Sequence, residues 1–263
     1  MSGNRLIKSF AEFLSQKGFE IVNGADVSQQ PPSEYKYAKQ IYTNRVVLLP
    51  FLIKAALTIK DTDSVFTFSP GRPEDYGKLQ TFLDLLKDGG YILNWARSAD
   101  GYEINLTLDA EKTKFFRSEW AEMCFRYIIM KVVHQFCQEA SPVLSCKVFQ
   151  NVEIRKASSE NELFTELDIV VQIENRFYIF EVKSGPWIRI LQWAKREEAF
   201  VDKQGRARQI VCTVHDNIPA NIFEPQILMT IGGIERRLLK LLRNDFPQPP
   251  SHLASQPPNH LTT

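Results

Sequence analysis

Four charged residues, Glu166, Asp168, Glu181 and Lys183, stand inside two otherwise apolar runs in "TELDIVVQIENRFYIFEVKSG", residues 165–185. The runs read as strands, and Glu174-Asn175 between them as a two-residue turn, with Asn175 tolerating positive φ. Ile173 then pairs with Arg176, which sets Asp168 across from Glu181 and Glu166 across from Lys183. Side chains alternate along a strand, so all four project from one face, with opposed Cβ atoms only ~5 Å apart. Two carboxylates that close repel unless a proton or a cation lies between them. Lys183 offsets part of that repulsion, and a hard divalent ion with oxygen ligands does so better. Such an ion activates water and polarises a phosphoryl oxygen. A merely structural edge hairpin would set Asp opposite Lys rather than Asp opposite Glu. On the other face Leu167, Ile169, Val171 and Ile173 meet Tyr178, Phe180 and Val182, an apolar surface suited to a packed helix.

Another acid reaches this region from a helix expected over "FFRSEWAEMCFRYIIMKVVHQF" and closed by Pro142. Counting forward from Glu122, Phe125, Ile129, Val132, Val133 and Phe136 share its side, so Glu122 lies on the core-facing stripe. A carboxylate there needs a partner: a core lysine or a shared site. Glu119 points further round, toward Arg126 and Met130, and reads as solvated.

Asp168 followed by the Glu181-Val182-Lys183 triplet resembles the PD-(D/E)XK nuclease superfamily. Within it, "ELDIVV…NRFYIFEVKSG" and the Trp120-x-Glu122 pattern look most like the nuclease domains of CRISPR-associated, cyclic-oligonucleotide-activated effectors. Archaeal Holliday-junction resolvases are a more distant likeness. The resemblance covers roughly residues 112–243. It implies an α/β, restriction-endonuclease-like core with a mixed central sheet flanked by helices. It implies an endonuclease cutting phosphodiester bonds of DNA or RNA, in defence or DNA processing. Mg²⁺ or Mn²⁺ would sit on Asp168, Glu181, the Val182 carbonyl and Glu122. Lys183 would orient water or offset charge, Glu166 would pair with Lys183, and Gln192 would be an accessory polar residue. Homodimers are common in that superfamily. The large nucleotide-sensing domain of those effectors has no counterpart in the roughly 110 residues that precede the core here.

The rest of the composition sets bounds. With a net charge of +1 over 263 residues, nucleic-acid contact must rest on local cations. Lys195, Arg196, Lys203, Arg206 and Arg208 follow the charged hairpin and are the expected phosphate contacts. Arg236, Arg237, Lys240 and Arg243 on the last helix read equally as a solvated face. The four cysteines show no C-x-x-C spacing and are expected to be buried, reduced thiols of a cytoplasmic protein. Dispersed histidines argue against a histidine zinc site. The N-terminal "MSGNRLIKSFAEFL" does not read as a secretory signal, and "VVLLPFLIKAALTI", broken by Pro50 and Lys54, falls short of the ~20 residues of a membrane span.

The elements divide the chain into an accessory α+β unit at 1–110, the nuclease-like unit at 111–245 and a disordered, proline-rich tail at 246–263. In the first unit "GADVSQQPPSEY" reads as a polar loop, the state of 46–59 is open between helix and strand, and residues 74–108 resemble the helix and hairpin of a winged helix. That likeness leaves a second reading, a non-catalytic nucleic-acid-binding or regulatory protein with a vestigial nuclease fold.

Overall fold

A computed structural model describes residues 10–28, 35–61, 63–140, 144–158, 163–185, 205–215 and 227–247. Its centre is a six-stranded mixed sheet in the order β1-β5-β6-β7-β8-β9. The strands are β1 (Phe19–Asp26), β5 (Cys146–Lys156), β6 (Leu163–Ile173), β7 (Arg176–Lys183), β8 (Ala207–Thr213) and β9 (Ile227–Thr230). Neighbours from β1 to β7 run antiparallel, whereas β8 and β9 run parallel to β7.

Both faces of this sheet are covered, which is why β6 and β7 are apolar almost throughout. On one side the long helix α5 (Trp120–Ala140) brings Phe125, Ile128, Ile129 and Val132 into a cluster with Ile169, Val171, Tyr178 and Phe180. On the other, Phe10, Phe13 and Leu14 from the helical residues 10–15 join Phe149, Val170, Phe177 and Ile179. Leu167 belongs to this second cluster, so the apolar side expected from strict alternation breaks at the residue before Asp168.

Residues 35–106 form a smaller unit. Helices α1 (Tyr35–Thr43) and α2 (Arg45–Lys60) precede β2 (Val65–Phe68), α3 (Asp75–Asp88), and the hairpin β3 (Ile92–Ser98) and β4 (Gly101–Leu106). The three strands pair antiparallel in the order β2-β4-β3. The 46–59 segment is thus helical. Its apolar residues surround the helix and leave Val46 and Leu57 71% and 53% exposed, so periodicity alone could not distinguish helix from strand. The exposed side of α3 mixes Asp84 and Asp88 with Lys78 and Lys87, which does not favour the reading in which this unit alone grips a polyanion.

The division expected at residue 110 is not respected by the main sheet, whose first strand comes from residues 19–26. Only Gly24–Asp26 of that strand fall in the expected polar loop, and the strand goes unread because it lies at the sheet edge with most side chains exposed. One apolar cluster also joins Phe51, Phe82 and Tyr102 of the smaller unit to Phe116 and Trp120. At the other boundary, Phe246 packs on Phe136 with ring centroids 5.9 Å apart, while residues from 248 onward lie outside the described part.

Between the two units, α4 (Ala110–Lys114) is capped by the Asp109 carboxylate, which accepts the N–H groups of Glu111 and Lys112, both at 3.0 Å. It enters α5 through a π-helical turn, Phe115–Glu119, that shifts the phase of the following helix. The expectation of four reduced thiols is corrected at the far end of α5. Cys137 and Cys146 form a disulfide because the chain reversal between α5 and β5 brings together residues nine apart. Cys124 and Cys212 are free and buried. No single helix among the described residues is long and apolar enough to cross a membrane.

Candidate active site

The hairpin register follows the expected pairing from Ile173↔Arg176 as far as Ile169↔Phe180. The left-handed turn residue is Glu174, at φ 51°, rather than Asn175; its carboxylate accepts the Ser145 N–H at 2.8 Å and anchors the turn to the neighbouring strand. Past Ile169↔Phe180 the ladder stops. There the Asp168 side chain takes the place of a backbone acceptor, its Oδ2 receiving the Val182 N–H at 2.6 Å. On the other edge, Glu181, Val182 and Lys183 remain paired with Val211, Cys212 and Thr213 of β8. The two strands therefore part at the residues singled out by the sequence. A rigid partner on one side of β7 and an opening on the other present its last residues.

Glu181 is 3% exposed and forms an ion pair with Lys183, two residues on along the same strand. This corrects the expected pairing of Lys183 with Glu166. Glu166 is exposed and lies across from Glu153 on β5. It still adds negative potential at Asp168 and Glu122. Strict cross-strand counting misplaced it because the ladder does not continue past Ile169↔Phe180.

Glu122 faces this cluster from α5. Burial first, then the charge of Asp168, pushes its pKa up to about 7, with Lys183 opposing and Glu119 and Glu166 adding to the rise. Asp168 is also raised by burial, partly countered by Lys183 and by the Val182 N–H. Burial alone would lower the pKa of Lys183, yet Glu181, Asp168 and Glu122 together raise it and hold the ammonium charged. Glu122, Asp168, Glu181 and Lys183 thus act electrostatically as one site. Glu119 is exposed, as expected.

Among the described residues no three Asp, Glu, His or Cys side chains are arranged to ligate a single ion. The oxygen donors on offer are the paired acids and the Val182 carbonyl, a hard set of the kind Mg²⁺ and Mn²⁺ prefer. Burial raises both Glu122 and Asp168, with the Asp168 charge adding to the rise of Glu122 and the Glu166 charge to that of Asp168, an imbalance that a cation would relieve.

The expected phosphate contacts need a correction. Arg206 and Arg208 lie at the start of β8, beside Phe177 and Tyr178, whereas the site is at the Lys183↔Thr213 end. Five residues of strand, roughly 16 Å, separate the two ends. Arg208 is held there by Asp245, with Nε 2.6 Å from Oδ2, and Tyr178 donates its hydroxyl to the same carboxylate oxygen at 3.0 Å. The Arg206 guanidinium lies over the Phe13 ring, 5.8 Å from its centroid. On the last helix, α6 (Ile234–Asp245), Arg243 pairs with Glu139 and Arg237 donates to the Leu228 carbonyl. Gln192, Lys195, Arg196 and Lys203 lie outside the described residues.

No protein-family model matches the sequence, and neither does any curated protein. Solved structures do match the fold. Can2 from Sulfobacillus thermosulfidooxidans, in complex with cyclic tetra-adenylate, is similar at a TM-score of 0.54 and 14% identity over 88% of this chain. Protein VC1899 from Vibrio cholerae is similar at 0.51 and 16% over 90%. The chain spans 59% and 60% of those two chains, respectively. Both matches cover more of the chain than the 112–243 stretch that carried the sequence resemblance.

The same end of the sheet holds residues that the motif did not flag. His215, two residues past the end of β8, sets Nε2 3.1 Å from the Gly185 carbonyl oxygen, and Ser184 donates its hydroxyl to the Arg117 carbonyl at 3.3 Å. Parallel β7 and β8 end side by side, so residues 184–185 and 214–215 had to meet there. That pairing of parallel strands was the missing signal.

Proposed function

We propose that this chain is a metal-dependent nuclease that hydrolyses phosphodiester bonds of nucleic acid, with Asp168, Glu181, Lys183 and Glu122 at its centre. The observation that carries this reading is the gathering of three carboxylates and one lysine where β6 and β7 part, with Glu122 held near neutrality. A buried group of like charges is costly as structure alone and belongs where chemistry needs shifted protonation. Its fold, shared with Can2, supports a place in nucleic-acid-related defence.

Asp168, Glu181, the Val182 carbonyl and Glu122 would hold Mg²⁺ or Mn²⁺. When bound, the metal supplies Lewis acidity toward a phosphate oxygen and lowers the pKa of water. The chain's own groups do the rest. The Val182 N–H fixes the Asp168 carboxylate in one orientation. Lys183, kept charged by the acids around it, neutralises charge that develops on the phosphate and orients the attacking water. Glu122, with its pKa raised to about 7, would be able to give up its proton and serve as a carboxylate ligand at neutral pH.

Incubation with single- and double-stranded DNA and RNA, with Mg²⁺ or Mn²⁺ and with EDTA, tests the reading. Cleavage that needs the metal and is lost in Lys183→Ala supports it. Intact substrates under every metal condition overturn it.

A further inference from the structure

Beside the carboxylate cluster lies a cavity of about 750 Å³, and its opposite wall comes from the smaller unit. Ile53, Leu57 and Lys60 of α2 face Arg117, Gly185 and His215 across it. Ser184 and Gly185, which line it, directly follow Lys183 on the chain, so the cavity lies next to the end of β7 that carries the site. Clefts of ~300–1,000 Å³ hold ligands of nucleotide size.

The lining has two chemistries. Ile53 and Leu57 are exposed apolar side chains of α2. Lys60 and Arg117 are exposed cations that make no ion pair among the described residues, and no acid is among the described residues that line the cavity. An apolar wall flanked by unneutralised cations complements an aromatic base joined to a phosphate. It suits neither a second greasy helix nor a cationic ligand.

We propose that this cavity is a subsite for a nucleotide of the strand being cut, flanking the scissile phosphate, and that α2 supplies half of it. Lys60 and Arg117 take the phosphates, and the base lies against Ile53 and Leu57. The smaller unit is then part of the substrate-binding surface rather than an appendage. The proposal rests on the nuclease reading for the identity of the strand, but its test does not require cleavage.

The experiment measures fluorescence anisotropy of fluorescein-labelled 15-nucleotide oligo-dT and oligo-U with the full chain in EDTA. Lys60→Glu and Arg117→Glu should each weaken binding at least fivefold, and Leu57→Asp comparably. For each phosphate no longer neutralised, the slope of the salt dependence should fall by ~0.7. Arg236→Glu, on α6, should leave binding unchanged. Because Lys60 and Arg117 are exposed, unaltered melting of their variants distinguishes weaker phosphate binding from a failure to fold. If the wild type binds through Lys60 but cuts nothing, the subsite stands and the nuclease reading fails. If it cuts, yet both charge reversals bind and cut as wild type, the subsite fails and the nuclease reading stands. No oligonucleotide binding by the wild type also overturns the subsite. So would a Leu57→Asp variant that changes only the oligomeric state in sedimentation, since α2 would then be a self-association face.

Discussion

The Asp168 carboxylate accepts the Val182 N–H at 2.6 Å, at the point where the β6–β7 ladder ends. One side chain thereby replaces a backbone acceptor and opens the sheet next to Glu181 and Lys183. A bare parting of the strands would leave the buried Val182 N–H unsatisfied, at a cost of about 1–3 kcal/mol. The same carboxylate is a proposed ligand, so the two roles separate by substitution. Asp168→Asn keeps an oxygen that can accept the N–H, and its folded stability should stay within about 1 kcal/mol of wild type. Asp168→Ala should lose about 2 kcal/mol. Urea melts read the stability, and titration calorimetry with Mn²⁺ should show binding lost in both. Mn²⁺ binding retained by Asp168→Asn would remove Asp168 from the metal site.

Glu122 gives a prediction with a definite sign. Its folded pKa of about 7 lies above the ordinary 4.5, so between those values the folded state holds a proton that the unfolded state has released. Stability of the metal-free protein therefore falls as pH rises from 4.5 to 7. The contribution is about 3 kcal/mol in total. Asp168, also raised, acts in the same direction. Lys183 is raised as well, but as a base it loses its contribution only at alkaline pH, outside this window. Glu122→Gln should flatten the profile, raise metal-free stability at pH 8 and abolish cleavage. A core ion-pair partner would behave oppositely, with stability at pH 8 dropping and cleavage retained.

Lys183 is the cation that offsets Glu181, Asp168 and Glu122. Lys183→Ala leaves three clustered acids without it, so metal-free stability at pH 8 should fall by about 2 kcal/mol. Saturating Mn²⁺ should recover most of that loss through the same acids. Cleavage should remain absent whether or not metal restores stability. A variant that cuts at the wild-type rate would return Lys183 to a purely structural part.

What could be read ahead of the structure follows from how local each signal is. The hairpin pairing needed only the two-residue turn and the alternation of apolar residues, and it held up to Phe180. Glu122 was legible because five large apolar residues shared its helical face. The pairing of Glu166 with Lys183 failed because a side chain, Asp168, ends the ladder, and no periodicity encodes that. β1 failed because an edge strand with one neighbour and an exposed face needs no apolar pattern. The Cys137–Cys146 disulfide and the groove beside His215 each depend on how distant segments turn back on one another, which spacing along the chain does not reveal.

Arg208 shows the same limit and supplies the last prediction. Its position after the charged hairpin suggested a phosphate contact, yet β8 runs parallel to β7, so its beginning is remote from the Lys183 end. Arg208 is committed to Asp245, which also receives the Tyr178 hydroxyl and lies 3.6 Å from the Arg176 guanidinium. Asp245 is the acceptor on which these three groups converge. It joins the end of α6 to two central strands. Asp245→Asn should therefore cost about 3 kcal/mol, because it leaves partly buried guanidinium groups without their counter-charge. Arg208→Ala should cost less, about 1–2 kcal/mol, since Arg176 and Tyr178 still satisfy the carboxylate. Neither change touches the carboxylate cluster or the groove beside it. Oligonucleotide affinity and cleavage rate, measured at a temperature where each variant remains folded, should match wild type. A several-fold loss of affinity in Arg208→Ala, with an unchanged melting temperature, would return this arginine to the substrate-binding surface.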